Sequence, residues 1–200
     1  MVKEMVSNYT LGYSPMTRSE LMSKVASQMS RKRFEHVLRV EEMALILAER
    51  YGCCLEKTSI AALTHDYAKE RPDEEMIALI QAGDYSTDLI KYGNAIWHGV
   101  VGADVVAKEL RITDSDILHA IRLHTTGSSE MSLLAKVIYV ADYVEAGREF
   151  PVVKEARALA LEDLDRAVAF ETKQTLLYLT QKEMLIYPKT LETYNHWVVK

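Results

Sequence analysis

The chain has 200 residues, 48% of them hydrophobic and 26% charged, a balance typical of a globular protein with one sizeable core. No apolar run approaches the ~20 residues that a membrane span needs, so no membrane association is expected. The formal net charge of −5 argues against a dedicated nucleic-acid binder, because such proteins usually present a basic face.

The N-terminal part of the sequence predicts a leader followed by two helices. Residues 1–16 show no clear period, and we place the folded domain at residues 17–200. Thr17, followed three residues later by Glu20, has the pattern of a capping box that opens a short helix. A long amphipathic helix is then predicted from about 30 to 51, with Gly52 as its C-terminal stop.

The rest of the chain alternates between helical periods and short polar or glycine-containing turns. Helices are predicted at about 56–69, 72–83, 94–110, 114–124, 132–145, 152–160 and 161–182. Residues 125–129 are predicted to form a loop, and Tyr187-Pro188 breaks the chain before a last short helix. Because the sequence shows no internal repeat or linker, it predicts one compact all-α bundle.

The two cysteines, Cys53 and Cys54, are adjacent. Adjacent thiols are poorly placed for a disulfide framework or a zinc clip, so we interpret them as structural residues in a reducing compartment. A secretory signal has a basic stretch followed by an apolar one, and the N-terminus does not show this pattern. A cytoplasmic location is therefore expected.

Metal-binding side chains fall on or beside the apolar faces of several predicted helices. His36 is in register with Val40 and Leu47, and Asp142 follows Ile138 by one turn. The other such side chains are His65, Asp66, His98 and His124. Each histidine taken alone could be a core residue with a backbone partner, and Asp142 could pair with an Arg or Lys. Together they predict a catalytic centre for Fe, Mn, Co, Mg or Zn, because helices that pack together would aim these groups at one point.

Positive charges accompany the predicted ligands. We expect Arg33, Lys69 and Arg148 to contact phosphate, since a metal centre lined by cations suits a polyanionic substrate. Arg39 and Lys32 are expected to be solvated surface charges. His119 and His196 are expected to lie outside the site.

These motifs resemble a known family. The ordered set His36, His65-Asp66 and Asp142 resembles the HD superfamily of metal phosphohydrolases. The strings Arg-Phe-Glu-His at 33–36, His-Asp-Tyr-Ala-Lys at 65–69, His-Thr-Thr-Gly at 124–127, Lys-Val-Ile-Tyr-Val-Ala-Asp-Tyr-Val-Glu at 136–145 and Ile-Tyr-Pro at 186–188 resemble its bacterial YqeK family. The resemblance covers about residues 17–199. It implies a single HD-domain bundle that hydrolyses diadenosine tetraphosphate symmetrically to two molecules of ADP, with a metal-activated water as the nucleophile.

The resemblance also implies roles for particular residues. The implied metal is iron, with Mn or Co as alternatives, and the site would hold one or two ions. The metal ligands would be His36, His65, Asp66 and Asp142. Catalytic roles are implied for Asp66, Lys69, His98 and His124, where the two histidines bind either a second metal or phosphate. The nucleotide-binding positions are Arg33, Lys69, His98, His124, Thr125 and Arg148, together with Leu185, Ile186, Tyr187, Pro188, Lys189 and Thr190. The sequence departs from the family pattern in the leader and at 145–146, where Glu-Ala stands instead of Glu-Pro.

Several alternatives remain open at this stage. The same site could serve an HD-type nucleotidase, a cyclic-nucleotide phosphodiesterase or an alarmone hydrolase. Two hypotheses do not involve catalysis: a sensor that binds a nucleotide or a metal, and a purely structural helical scaffold. A homodimer is possible.

Overall fold

The protein is described by a computed structural model, which covers Val6 and residues 8–199. This part of the chain contains eleven α-helices, one 3₁₀ helix and no strand, which confirms the prediction of an all-helical fold. The α-helices are α1 (Arg18–Ala26), α2 (Arg31–Tyr51), α3 (Leu55–Thr64), α4 (Asp73–Ala82), α5 (Asn94–Val100), α6 (Gly102–Leu110), α7 (Ser115–Leu123), α8 (Leu133–Val144), α9 (Val153–Glu162), α10 (Leu164–Gln181) and α11 (Pro188–Trp197). The 3₁₀ helix, Thr87–Tyr92, lies between α4 and α5.

Local capping chemistry sets several of the helix ends. The capping box of Thr17 and Glu20 is present at the start of α1, and the Ser30 side chain accepts a hydrogen bond from the Arg33 backbone at the start of α2. Gly52 ends α2 in the left-handed conformation, with φ of 76°, which a glycine adopts without steric cost. These boundaries agree with the sequence prediction because they depend only on neighbouring residues.

Two predicted helices differ in the structure, one because it ends earlier and the other because it is divided. The helix predicted at 56–69 ends at Thr64, and residues 65–70 continue as tight turns, in which the Lys69 amide donates to the Asp66 carbonyl at 2.9 Å. The helix predicted at 94–110 is divided into α5 and α6 at Val101. Gly102 allows a close contact at this division, since an added Cβ would lie 3.2 Å from the Ala68 Cβ. The division between α5 and α6 therefore coincides with a contact between distant parts of the chain.

Helix α8 lies in the middle of the main core. Its residues Ala135, Ile138, Tyr139 and Ala141 are almost fully buried, and it packs against α2, α3, α7, α9 and α10. A second, smaller hydrophobic cluster surrounds Trp97. The turns after α3 connect the two, because α3 belongs to the main core whereas Ala68 belongs to the smaller cluster.

The predicted leader contacts the helical body where it is described. The Tyr9 hydroxyl lies 2.8 Å from the Ser59 hydroxyl, and the Thr10 backbone amide donates to the Glu56 carboxylate at 2.7 Å. Residues 1–5 and 7 of the leader lie outside the described residues, and the domain division at 16/17 stays a prediction. None of the helices in the described chain is long and apolar enough to cross a membrane.

Candidate active site

The four predicted metal ligands and the two other predicted site histidines converge at the junction of the two hydrophobic clusters. They come from five elements: His36 from α2, His65 and Asp66 from the turn after α3, His98 from α5, His124 from the end of α7 and Asp142 from α8. His36 Nε2 lies 3.0 Å from Asp142 Oδ1 and 3.6 Å from Asp66 Oδ2. His65 Nε2 lies 3.5 Å from the same Asp66 oxygen. Three overlapping sets could each hold an ion, with ligand atoms within 4.8 Å of one another: His36-His65-Asp66, His65-His124-Asp142 and Asp66-His98-His124.

All four imidazoles are anchored in the same way, through Nδ1. His36 Nδ1 lies 3.1 Å from the Glu145 carboxylate. The other three imidazoles bond to backbone carbonyls: His65 to Ala62 at 2.7 Å, His98 to Asn94 at 2.6 Å and His124 to Ile121 at 2.7 Å. Since these oxygens accept, we infer that Nδ1 carries the proton and that each Nε2 presents a lone pair to the centre. This is the tautomer that lets a histidine bind a metal through Nε2.

The unsatisfied Nε2 atoms indicate that the residues fit a cation. The Nε2 atoms of His36 and His65 are buried and have no hydrogen-bond partner among the described residues. Although His36 Nε2 lies 3.0 Å from Asp142, the contact lacks hydrogen-bond geometry, as expected of two ligands directed at one ion. Nitrogen and carboxylate donors without a thiolate are typical of catalytic rather than structural metal sites.

Asp66 connects two halves of the cluster. Its Oδ2 faces His36 and His65, whereas its Oδ1 lies 3.2 Å from His98 Nε2 and 3.7 Å from His124 Nε2. The Nε2 atoms of His98 and His124 are only 3.0 Å apart, and two facing lone pairs at this distance need a cation or a proton between them. Burial alone would raise the pKa of Asp66, but the positive charge of His65, when that imidazole is protonated in the metal-free protein, holds that pKa well below its usual range.

Two arginines hold the carboxylates of the cluster from the side of the solvent. Arg33 Nη1 lies 2.9 Å from Asp66 Oδ2, and Arg148 Nη2 lies 2.6 Å from Asp142 Oδ1. Their side chains are 29% and 36% exposed, so both guanidinium groups can also reach a ligand. The structure therefore places both predicted phosphate-binding arginines at the cluster.

Lys69 lies against the imidazole of His98, with Nζ 3.2 Å from Nδ1. Burial lowers the pKa of Lys69, the Asp66 charge opposes that effect and Arg33 adds to it. Burial also lowers the pKa of His98 to about 4, so its imidazole is neutral near pH 7. A lysine that is buried next to a neutral imidazole is well placed to move a proton or to bind an anion.

Glu145 and Arg39 have roles in the site that the sequence analysis did not find. Glu145 is 2% exposed, and besides His36 it accepts hydrogen bonds from Arg39 Nε at 2.6 Å and from the Gly147 backbone at 2.5 Å. The expectation that Arg39 is a solvated surface charge is wrong, because its guanidinium binds this buried carboxylate. A Cβ at Gly147 would lie 2.6 Å from Arg39 Nε, so a side chain at this position would displace the Arg39 guanidinium. The available signal was the spacing of three residues between His36 and Arg39 on one helix.

The remaining predicted nucleotide-binding residues lie on the loop after α7 and on the start of α11. The Thr125 hydroxyl oxygen is buried and has no hydrogen-bond partner among the described residues. Tyr187 stacks edge-on against Tyr92, with ring centroids 4.9 Å apart. The 185–190 segment is attached to the loop by Lys189, whose Nζ donates to the Ser128 hydroxyl at 3.4 Å. Among the six positions of that segment, Leu185 is 66% exposed and Thr190 is 2% exposed.

The other two histidines lie outside this cluster. His119 is half-buried on α7 and His196 is exposed on α11, where it stacks against Trp197. Neither belongs to a group of ligand atoms that could hold a metal within the described chain.

The fold and the site define a class of protein. Residues 33–147, more than half of the chain, match the family model of the HD domain. The matched range contains all four predicted metal ligands, His36, His65, Asp66 and Asp142. The class is therefore an HD-domain phosphohydrolase that depends on a divalent metal.

Similar proteins narrow the class to a family. A Bacillus subtilis protein named symmetrical bis(5'-nucleosyl)-tetraphosphatase is 44% identical over 184 residues, which cover 92% of this chain and 98% of the relative. A protein of the same name from Halalkalibacterium halodurans is 40% identical over 185 residues, 92% of this chain and 99% of the relative. A crystal structure from Clostridium acetobutylicum, described as a predicted HD superfamily hydrolase involved in NAD metabolism, is 35% identical, with a TM-score of 0.87 over 92% of this chain and 97% of that one. The chain belongs to the family of the symmetrical bis(5'-nucleosyl)-tetraphosphatases, which confirms the resemblance seen in the sequence.

Proposed function

We propose that the chain hydrolyses diadenosine tetraphosphate and related dinucleoside polyphosphates symmetrically, giving two nucleoside diphosphates. The observation that carries this proposal is the imidazole–carboxylate cluster bridged by Asp66, with Arg33, Lys69 and Arg148 beside it. A polyphosphate bridge carries several negative charges, and three cations around one cluster complement them. The names of the relatives support the same activity.

We assign the metal to His36, His65, Asp66 and Asp142, and we propose iron, with Mn or Co as alternatives. When bound, the metal supplies a Lewis acid that polarises a phosphoryl oxygen and lowers the pKa of a water molecule. The donor set of imidazoles and carboxylates suits these metals. His98 and His124 complete a second ligand group with Asp66 and are assigned either to a second ion or to phosphate.

The residues of the chain then orient and neutralise the reacting groups. Asp66 orients the water, because its two oxygens face the two halves of the cluster. The water oxygen bonds to an inner phosphorus and gives up one proton to the solvent, and the bond from that phosphorus to the central bridging oxygen breaks. The second nucleoside diphosphate leaves with the bridging oxygen. Arg33 and Arg148 bind phosphoryl oxygens, and Lys69 neutralises charge that develops on the leaving diphosphate.

Two further features are assigned to nucleotide binding. The buried Thr125 hydroxyl has an unused hydrogen bond to offer a phosphate oxygen. The segment Leu185, Ile186, Tyr187, Pro188, Lys189 and Thr190 is assigned to one nucleoside, because the Tyr187 ring is half-buried and held by Tyr92.

Product analysis tests the proposal. Metal-free protein is loaded with Fe²⁺, Mn²⁺ or Co²⁺ and incubated with diadenosine tetraphosphate, and the products are separated by chromatography. Symmetrical cleavage gives ADP alone, whereas asymmetrical cleavage gives ATP with AMP. Cyclic nucleotides, guanosine alarmones, nucleoside monophosphates and NAD are tested in parallel, the last because of the description of the C. acetobutylicum protein. Faster turnover of any of these, or tight ADP binding without multiple turnovers, would contradict the proposal.

We also propose that the protein acts in the cytoplasm, which the two free, adjacent cysteines support. A homodimer stays a prediction, and light scattering behind size-exclusion chromatography measures it.

A further inference from the structure

A cavity of about 590 Å³ lies next to the cluster, on the side of α8 and α10. Its walls include Asp142 and Arg148, so it is continuous with the candidate active site. The aromatic, acidic and amide side chains of its wall are Tyr143, Phe150, Glu171, Gln174, Tyr178 and Gln181. This volume falls within the range of pockets that hold small organic ligands.

Glu171 gives the cavity an unpartnered polar group. Its side chain is 6% exposed, and its Oε2 has no hydrogen-bond partner among the described residues. Burial raises the pKa of Glu171, the Asp142 charge adds to this effect and Arg148 opposes it. Because leaving a buried polar atom unpaired costs free energy, this carboxyl group fits a ligand that donates a hydrogen bond.

Aromatic and amide side chains give the same cavity the character of a nucleoside site. Tyr178 is 55% exposed, so one face of its ring is open to a stacking partner. Tyr143 and Phe150 form a tilted pair with centroids 4.7 Å apart, and Gln174 and Gln181 supply amide donors and acceptors. Flat rings bind the face of a base, and amides read its edge.

The proposed substrate has two nucleosides, and the segment around Tyr187 is assigned to the binding of only one of them. Tyr187 packs against Tyr92 and the cluster around Trp97, and none of these residues lines the cavity beside Asp142. Because cleavage occurs at the middle of the bridge, the second nucleoside must lie beyond the metal cluster, in a different place from the first.

We propose that this cavity binds the second nucleoside of the dinucleotide, with the base against Tyr178 and a ribose hydroxyl donating to Glu171. The inference rests on the proposed function. Acidic side chains bind ribose hydroxyls in the same way in dinucleotide-binding proteins. Arg148, which lines both the cavity and the cluster, would bind the phosphate that links them.

Kinetics with two substrates tests this subsite. Diadenosine tetraphosphate is compared with adenosine 5'-tetraphosphate, which lacks one nucleoside. Loss of one stacked base is worth about tenfold in affinity, so Tyr178→Ala should lower the ratio of the two kcat/KM values about tenfold. Glu171→Ala removes the acceptor of the ribose hydroxyl and should lower the same ratio. Tyr178→Phe keeps the ring and should restore the ratio. Lys173→Ala, an exposed change on α10 outside the cavity wall, is the matched control.

Titration with ADP gives a readout that does not depend on turnover. The wild-type chain is expected to bind two ADP molecules, and Tyr178→Ala is expected to bind one. A wild-type protein with a single ADP site, whose affinity Tyr178→Ala leaves unchanged, would overturn the inference. Equal losses of kcat/KM on both substrates in folded variants would also overturn it, and neither outcome would contradict the hydrolase activity. Wild-type protein that forms no ADP from diadenosine tetraphosphate would overturn the proposed function, and the titration would still report on the cavity.

Discussion

Replacing Glu145 by glutamine should weaken metal binding through His36, although Glu145 belongs to none of the predicted ligand groups. Its carboxylate accepts from three donors, His36 Nδ1 at 3.1 Å, Arg39 Nε at 2.6 Å and the Gly147 amide at 2.5 Å. A glutamine has one acceptor oxygen and one NH₂ group, so in either orientation an N–H group faces another donor. At least one of the three contacts must therefore be lost, the one to His36 Nδ1 or the two to Arg39 and Gly147.

The size of the effect follows from these contacts. Loss of a hydrogen-bonded partner of a metal-binding histidine costs about 10–100-fold in metal affinity, which corresponds to about 1.4–2.8 kcal/mol. The loss of a hydrogen bond to a charged group should also reduce the free energy of unfolding by about 1.5–3 kcal/mol. The Arg39 side chain is 35% exposed and can turn toward water, which favours the lower end of that range.

Competition with a chelating dye measures the metal dissociation constant, and urea unfolding measures stability. Glu35→Gln is the matched control, since Glu35 lies on the same helix and pairs with Arg31 at the exposed surface. It should leave metal affinity unchanged and shift stability by no more than about 0.5 kcal/mol. A Glu145→Gln variant that binds metal as tightly as the wild type would refute this role of Glu145.

Three further outcomes follow from the structure. Asp142→Ala should lose metal and activity together, and elemental analysis that finds a full complement of metal with near-normal turnover would contradict its assignment as a ligand. Arg33→Ala should raise KM for the dinucleotide and cost about 2–4 kcal/mol of transition-state stabilisation in kcat/KM, whereas an unchanged KM would remove Arg33 from the phosphate site. Asp114 caps α7 and pairs with Lys57 at 2.8 Å; burial alone would raise the pKa of Asp114, but Lys57 and the amides of α7 lower it. Stability from this pair is present above the ordinary pKa of an aspartate and is lost as the pH falls through the lowered value. Asp114→Asn, which keeps the cap, should therefore cost about 1 kcal/mol at pH 7 in urea unfolding and progressively less as the pH falls below the ordinary pKa of an aspartate. A cost that does not change with pH would contradict the role of the charge.

Helical periodicity could predict most of the fold and which side chains face inward, because both depend on neighbours within one turn. His36 and Asp142 lie on buried stripes, and the structure brings them within 3.0 Å of each other. The end of α3 at Thr64 and the division between α5 and α6 could not be predicted in this way. The division lies where Gly102 comes close to Ala68, a residue that is distant in sequence and that helical periodicity does not place there.

The early end of α3 also serves the site. The last carbonyls of an α-helix have no partner within the helix. His65 directly follows α3 and its Nδ1 bonds to the Ala62 carbonyl, and His124 directly follows α7 and bonds to the Ile121 carbonyl in the same way. Two helix ends therefore fix two imidazoles with local backbone acceptors, and their Nε2 atoms face the centre without help from any distant side chain.

His36 is fixed differently from the two helix-end histidines, because it lies inside α2 and its Nδ1 is bonded to a side chain and not to a backbone carbonyl. The acceptor is Glu145, 109 residues further along the chain. Arg39, one turn after His36 on the same helix, holds that carboxylate in place. The contact of His36 with Glu145 thus accounts for the buried glutamate and the partly exposed arginine at this site. It also explains why Glu145→Gln should act on metal binding rather than on stability alone.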